Sequence, residues 1–234
     1  GELTPLELIR SKYGIGVDDF VVFFNFDYSS SYFRKNPEGI LKAFARALSD
    51  KTDAKIVFKT MRARKCKNMS DRLQAVAKNL GLHTQLITID DFIPQEDLAN
   101  LTNACDVYMS LHRGEGFGLG IAEAMSLGKP VIVTNYSATT EFCSPENSIP
   151  IPYTITKITP EQLDNDAYKC VSSWAEPDIC AAADALLLLY NNRALREQLG
   201  RKASKDIRGQ FSTYNFSKSI RAFLDCTPIP SQHI

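Results

Sequence analysis

Neither sign of charge is in excess: 27 lysines and arginines stand against 27 aspartates and glutamates, so the formal net charge is zero. A balanced chain has no long-range field to gather nucleic acid or an anionic surface, and an anionic ligand must be held locally. No apolar run is long enough to cross a bilayer, and no basic start leads into an apolar stretch, so the chain reads as soluble. Its six cysteines, Cys66, Cys105, Cys143, Cys170, Cys180 and Cys226, include no Cys-x-x-Cys pair, and only three histidines accompany them. That spacing gives neither a zinc site nor a disulfide framework. Cys105 and Cys180 fall among apolar residues in expected helices, where a free thiol packs as a small hydrophobe, and a reducing, cytoplasmic compartment is expected. An initiator methionine is missing as well: the chain opens GELTPLELIRSKYGI, as an excised domain or processed product would.

What is present is enough apolar residue, 44%, for a continuous core. Phe20 to Phe26 (FVVFFNF) is a run suited to a strand covered on both faces. After Pro37, the residues Ile40, Leu41, Phe44, Ala45 and Leu48 recur at helical spacing, and Lys55 to Phe58 returns to a strand pattern. The alternation continues through Leu73 to Leu80 (helix), Gln85 to Ile89 (strand), Gln95 to Cys105 (helix), Asp106 to Leu111 (strand), Gly118 to Leu127 (helix) and Lys129 to Thr134 (strand). Five strands interleaved with helices specify an α/β fold, a Rossmann-like doubly wound parallel sheet. Thr140 to Trp174, broken by four prolines, reads as peripheral loops and short elements. Further helices are expected through Ile179 to Leu187, from Arg193 into Ile207, and around Phe216 to Leu224, before a frayed tail. The expected organisation is a helical lead-in over 1–19, a binding core over 20–174, associated helices over 175–226 and a tail over 227–234.

In such a sheet, ligands collect beyond the carboxyl ends of the strands. Asp27, Arg34 and Lys35 follow the first strand, Lys59 the second, Asp90 and Asp91 the third, and His112, Arg113 and Glu115 the fourth. Polar turns alone mark no site. The fourth turn carries more: Gly114, Gly116, Gly118 and Gly120 let backbone approach a ligand, and a helix start presents free N–H groups to a pyrophosphate. It is neither the Gly-x-Gly-x-x-Gly fingerprint nor a Walker A sequence. Glu115 and Glu123, eight positions apart, are two separated acceptors for hydroxyls, which suits a sugar nucleotide better than inorganic phosphate.

The stretch Glu115-Gly-Phe-Gly-Leu-Gly-Ile-Ala-Glu123, with Ala124-Met125 and Gly128-Lys129-Pro130-Val131 after it, resembles the Glu-x7-Glu donor signature of the group-1 (GT4) retaining glycosyltransferases, which have the GT-B fold. The resemblance runs from Lys12-Tyr13-Gly14 through Arg34-Lys35-Asn36-Pro37 to Trp174-Ala-Glu-Pro-Asp178. It implies that the chain is the donor-binding half of such an enzyme, using no metal or other cofactor, with a UDP-sugar or GDP-sugar as donor. It places Glu115 near the transferred sugar, Glu123 on the ribose, the amides of Gly116, Phe117 and Gly118 near the diphosphate, and the base near Asp91, Phe92 and Ile93. Lys35 resembles the family's phosphate-binding lysine, with Lys59 a further phosphate candidate. The arginine usually found about five residues earlier is absent, and Arg34 stands as its replacement. The implied partners are an N-terminal acceptor-binding domain, a saccharide acceptor and no nucleic acid, with peripheral membrane association at the inner face for the full-length protein. A nucleotide-sugar epimerase or hydrolase, and a noncatalytic nucleotide-sugar-binding domain, remain alternative readings of the same turn.

Overall fold

The computed structural model describes residues 5–163, 173–212 and 215. The chain opens with α1 (Leu6–Lys12) and then forms β1 (Phe20–Asp27), α2 (Tyr32–Lys35), α3 (Pro37–Leu48), β2 (Ala54–Met61), α4 (Lys67–Asn79), β3 (Leu86–Ile89) and α5 (Gln95–Asn103). It continues through β4 (Val107–Ser110), α6 (Leu119–Ser126), β5 (Val131–Thr134), β6 (Ile149–Ile151), β7 (Tyr153–Lys157), β8 (Ser173–Pro177), α7 (Ile179–Asn191) and α8 (Arg193–Gln210). Strands β1 to β6 form one parallel sheet in the order β3-β2-β1-β4-β5-β6. Strand order reverses between β1 and β4, which puts the switch point where the polar turns collect.

The apolar run of β1 is buried from Phe20 to Phe24 because helices cover the sheet on both sides. Helix α3 packs on α4 and α7, and α6 packs on α5 and α8. Asn36 sets where α3 begins. It takes a left-handed backbone (φ 53°), accepts from the Gly39 N–H through Oδ1, and donates Nδ2 to the Leu111 carbonyl at 2.8 Å. Pro37 follows at the first helical position, where its missing N–H costs nothing. The loop after β1 is thereby tied to the end of β4, across the switch point.

Three sequence expectations change. The sheet has a sixth strand, β6, in the stretch read as peripheral; its Ile-Pro-Ile pairs with β5 at the sheet edge, where a proline is tolerated. Beyond it, in the same stretch, β7 and β8 make an antiparallel pair that brings Trp174 and Glu176 back toward the β4 turn. Cys180, expected in a core, is exposed on the first turn of α7, and Cys105 is buried but follows α5 instead of lying in it. The helix expected around Phe216 to Leu224, like the tail, lies outside the described residues. Among the described residues no helix is long and apolar enough to cross a membrane.

The position of α6 depends on α8. Ser204 and Arg208 donate to the Ser126 carbonyl at the end of α6, and Gly200 lies so close to the Gly128 turn that an added Cβ would stand 2.0 Å from the Gly128 carbonyl oxygen. Gly200→Ala is expected to destabilise the fold by about 2 kcal/mol, the scale of core overpacking. Gly209→Ala, on the same helix with open space around it, should be neutral or stabilise by ~0.5–1 kcal/mol. Urea midpoints of the two variants check the contrast.

Candidate functional site

A cleft of about 430 Å³ opens beyond the carboxyl ends of β1, β2 and β4. Asn25, Phe26 and Asp27 of β1, Lys59 and Met61 of β2, and Tyr108 and Ser110 of β4 line its floor; Ser30, Lys35, Glu115 and Phe117 to Ile121 close it from above. The size lies in the range of small-ligand sites.

The glycine turn has two kinds of glycine. Gly118 has φ 93°, a conformation that favours glycine, and an added Cβ would stand 2.9 Å from Thr139 Cγ2. At Gly120 a Cβ would meet Tyr108 Oη at 2.5 Å and Asn25 Oδ1 at 2.7 Å, two groups hydrogen-bonded to each other on the cleft floor. Gly114 and Gly116 meet nothing within 4 Å and keep ordinary φ, so their lack of a side chain leaves open space. Helix α6 starts at Gly118 without a side-chain cap, and Ala122 donates to the Gly118 carbonyl. The amides of Leu119, Gly120 and Ile121 therefore have no intrahelical acceptor, and all three residues line the cleft. The Gly116 N–H is already held by Glu115 Oε1 at 3.2 Å, and the Glu115 N–H by Ser137 Oγ at 2.9 Å. Phe117 turns its ring into a cluster with Phe142 and Phe211.

Lys35 and Arg34 converge on one oxygen. Lys35 Nζ donates to Glu115 Oε2 at 2.5 Å, and Arg34 Nη1 lies 3.4 Å from it. Burial alone would raise the Glu115 carboxyl, but the charge and hydrogen bond of Lys35, with the charge of Arg34, leave it below its ordinary value. Only Lys35 faces the cleft. Arg34 is buried, donates to the Gly114 carbonyl at 2.6 Å and to Ser30 at 2.9 and 3.0 Å, and lines a different pocket beyond the turn. Consecutive helical residues project about 100° apart, so the adjacent cations separate. Arg34 is thus not in the position of a second cation within the cleft.

Lys59 lies on the cleft floor with Nζ donating to the Thr60 carbonyl at 2.6 Å; burial lowers its pKa while Asp90 and Asp91 support its charge. The loop after β3 stays outside the cleft: Asp91 is exposed, Phe92 is 86% exposed, and Ile93 packs against the core. Glu123 is not brought into the cleft either. It lines a small pocket between α5 and α6 whose wall, Leu98, is shared with the cleft, and partial burial raises its carboxyl.

Asp27, His112 and Arg113, placed at the strand ends by the sequence, have partners that it does not join to them. Arg113 holds Glu176 of β8 through two hydrogen bonds of 2.5 and 2.9 Å, donates to the Phe33 carbonyl and lies over the Trp174 ring. Asp27 pairs with Arg62, which follows the end of β2. His112 is fully buried under the turn. A carbonyl only accepts, so His112 Nε2 donates to the Tyr136 carbonyl at 3.2 Å and Nδ1 accepts from Ser110 Oγ at 3.3 Å. Burial pulls its pKa down to about 4, against the Tyr136 hydrogen bond and the Glu115 charge, so the ring is neutral near pH 7.

The family described as glycosyl transferases group 1 matches residues 7–206. Comparison with curated protein sequences gives no significant match. Among solved structures, HepE of Anabaena with UDP and glucose is similar at a TM-score of 0.73 and 17% identity, over 95% of this chain and 52% of that one. The C-terminal domain of LpcC, a group 1 family glycosyl transferase of Francisella tularensis, is similar at 0.68 and 18%, over 89% and 94%. Sucrose-phosphate synthase of Thermosynechococcus elongatus is similar at 0.69 and 16%, over 96% and 50%. These likenesses are of fold, and the chain spans about half the length of HepE.

Because His112 is held near 4 when folded and titrates near 6.5 when free, the unfolded chain binds more protons between those values. Its neutral form contributes fully above pH 6.5, and stability should fall by on the order of 3 kcal/mol as pH drops through the window toward 4. Thermal melts of His112→Gln across that window should show a shallower slope than the parent; an unchanged slope contradicts a neutral buried ring.

Proposed function

This chain belongs to the group 1 glycosyl transferases, and on that footing we propose that it binds a nucleoside diphosphate sugar and serves as the donor half of a retaining glycosyltransferase. The observation that carries this is the convergence, on one cleft at the switch point, of the uncapped amides that open α6 with the ammonium of Lys35. A diphosphate entering there meets N–H dipoles and a cation already in place, so charge building on a departing nucleotide is stabilised without reorganisation. UDP is the nucleotide in the HepE complex, and a UDP-sugar is the donor proposed here.

The remaining contacts follow from the ligand's shape. With the diphosphate at Leu119 and Gly120, Glu123 lies on the same helical face about 6 Å further along, where a ribose running past Leu98 offers its diol. Phe92 gives the base an exposed ring beyond it. On the other side, Glu115 takes the sugar hydroxyls, and its carboxylate favours positive character at the anomeric carbon. Lys59, on the floor, adds a cation near the phosphates. Arg34 acts through Glu115, which it holds in place.

A second domain across the cleft supplies the acceptor site in this reading, and the half-length span relative to HepE supports it. The setting proposed with it is cytoplasmic, at the membrane's inner face for a lipid-linked saccharide acceptor. Isothermal calorimetry tests the donor site. UDP should bind saturably to the folded chain, Lys35→Ala should weaken it about tenfold or more through loss of a charge-assisted hydrogen bond, and Glu123→Ala should weaken UDP without affecting inorganic pyrophosphate. Folded parent chain with no saturable nucleotide binding overturns the assignment.

A further inference from the structure

Glu115 faces two spaces. Behind the glycine turn lies a second pocket of about 480 Å³, lined by Arg34, Arg113, Glu115, Tyr136, Ile158 and Trp174 among others. Its far wall is the β7–β8 hairpin, held to the turn by the Arg113–Glu176 pair and by the Ala175 N–H donating to the Arg113 carbonyl at 3.1 Å. Tyr136 packs edge-on against Tyr153 of the hairpin, which extends the aromatic wall.

The chemistry of this pocket differs from that of the cleft. Both guanidinium groups face carboxylates, Arg34 with Glu115 and Arg113 with Glu176, and the cation that Glu115 also meets, Lys35, opens onto the cleft, so the lining of this pocket has no surplus charge for another phosphate. It offers aromatic surface from Tyr136 and Trp174, an aliphatic side chain at Ile158, guanidinium N–H donors and a carboxylate acceptor. Trp174 is 6% exposed, and its indole Nε1–H is buried with no hydrogen-bond partner among the described residues. A neutral polyol with an apolar face and several hydroxyls matches this set, since its C–H face covers a ring while its hydroxyls meet charged groups edge-on.

We propose that the pocket between the glycine turn and the β7–β8 hairpin is a subsite for the acceptor saccharide, contributed by this donor-side domain itself. The proposal rests on the donor-site reading, because Glu115 then stands between the bound donor and the acceptor ring and touches both. The acceptor is held by this chain as well as by the domain across the cleft.

The sequence contains a single tryptophan, so intrinsic indole emission reports on this pocket alone. The methyl glycosides of glucose, mannose and N-acetylglucosamine are titrated into the chain with and without saturating UDP, while calorimetry follows UDP separately. A saturable change in Trp174 emission with at least one glycoside is expected. Ile158→Arg, at a half-buried rim position, should abolish that response while UDP affinity stays within about twofold, as for independent sites. Silence toward all three glycosides in a chain that binds UDP overturns the subsite and leaves the donor site standing. A response to UDP-glucose beyond that to UDP, with none to the glycosides, also overturns it and gives the pocket to the donor's own sugar. If UDP fails to bind the folded chain, the donor reading falls, and the titrations without UDP still decide the subsite.

Discussion

A carboxylate set between two cations joins the functional parts of this molecule. Glu115 Oε2 accepts from Lys35 and lies beside Arg34, and the three side chains come from two segments that only the parallel sheet brings together. Each cation has a different second role. Lys35 opens onto the cleft, whereas Arg34 turns inward to the Gly114 carbonyl and Ser30 and fixes the turn that carries Glu115. The triad carries one net positive charge with Glu115 ionised, and the Lys35 and Arg34 charges hold the carboxyl in that form. Without a ligand, Glu115 neutralises the lysine that a diphosphate would claim.

The constraint spreads outward through packing. Gly118 and Gly120 let α6 start tight against Thr139, Tyr108 and Asn25, so the helix's free amides arrive at the cleft at a fixed height. His112, Ser137 and Thr139 fill the space beneath and behind the turn with hydrogen bonds to one another, to Ser110 and to the Glu115 N–H. At the far end α8 closes on the Ser126 carbonyl and the Gly128 turn, which leaves α6 little freedom to slide. The Arg113–Glu176 pair then adds the hairpin as a second wall. The glycine turn and α6 are therefore held in place by packing and hydrogen bonds on several sides, with α8 and the hairpin coming from segments distant in sequence.

Five of the sheet's six strands, most helices and the glycine turn were legible because each is written locally. The run at Phe20, the helical recurrence after Pro37 and the crowding of glycine around Glu115 need no distant partner to be recognised. The strand β6 was not legible: two isoleucines around a proline are too short a run to read as a strand, and the open edge of β5 makes them one. Nor was the hairpin's role, since Arg113 and Glu176 are 63 positions apart and only tertiary structure joins them. The different directions of Arg34 and Lys35 follow from helical geometry at α2, whose four residues carry no periodicity to read. Glu123 shows a further limit: spacing placed it on the right helix, and the structure puts it one turn beyond the cleft, behind Leu98.

The central claim is that Glu115 competes with the diphosphate for Lys35 and is released to the sugar when the donor binds. Calorimetry of Glu115→Gln with UDP and with UDP-glucose tests it most directly, because the substitution removes the charge and keeps the shape. Loss of the competing carboxylate should tighten UDP by about three- to tenfold, on the order of one partly screened charge pair, while the extra affinity of UDP-glucose over UDP shrinks. Weaker UDP binding in Glu115→Gln, with the UDP-glucose increment intact, would contradict the account.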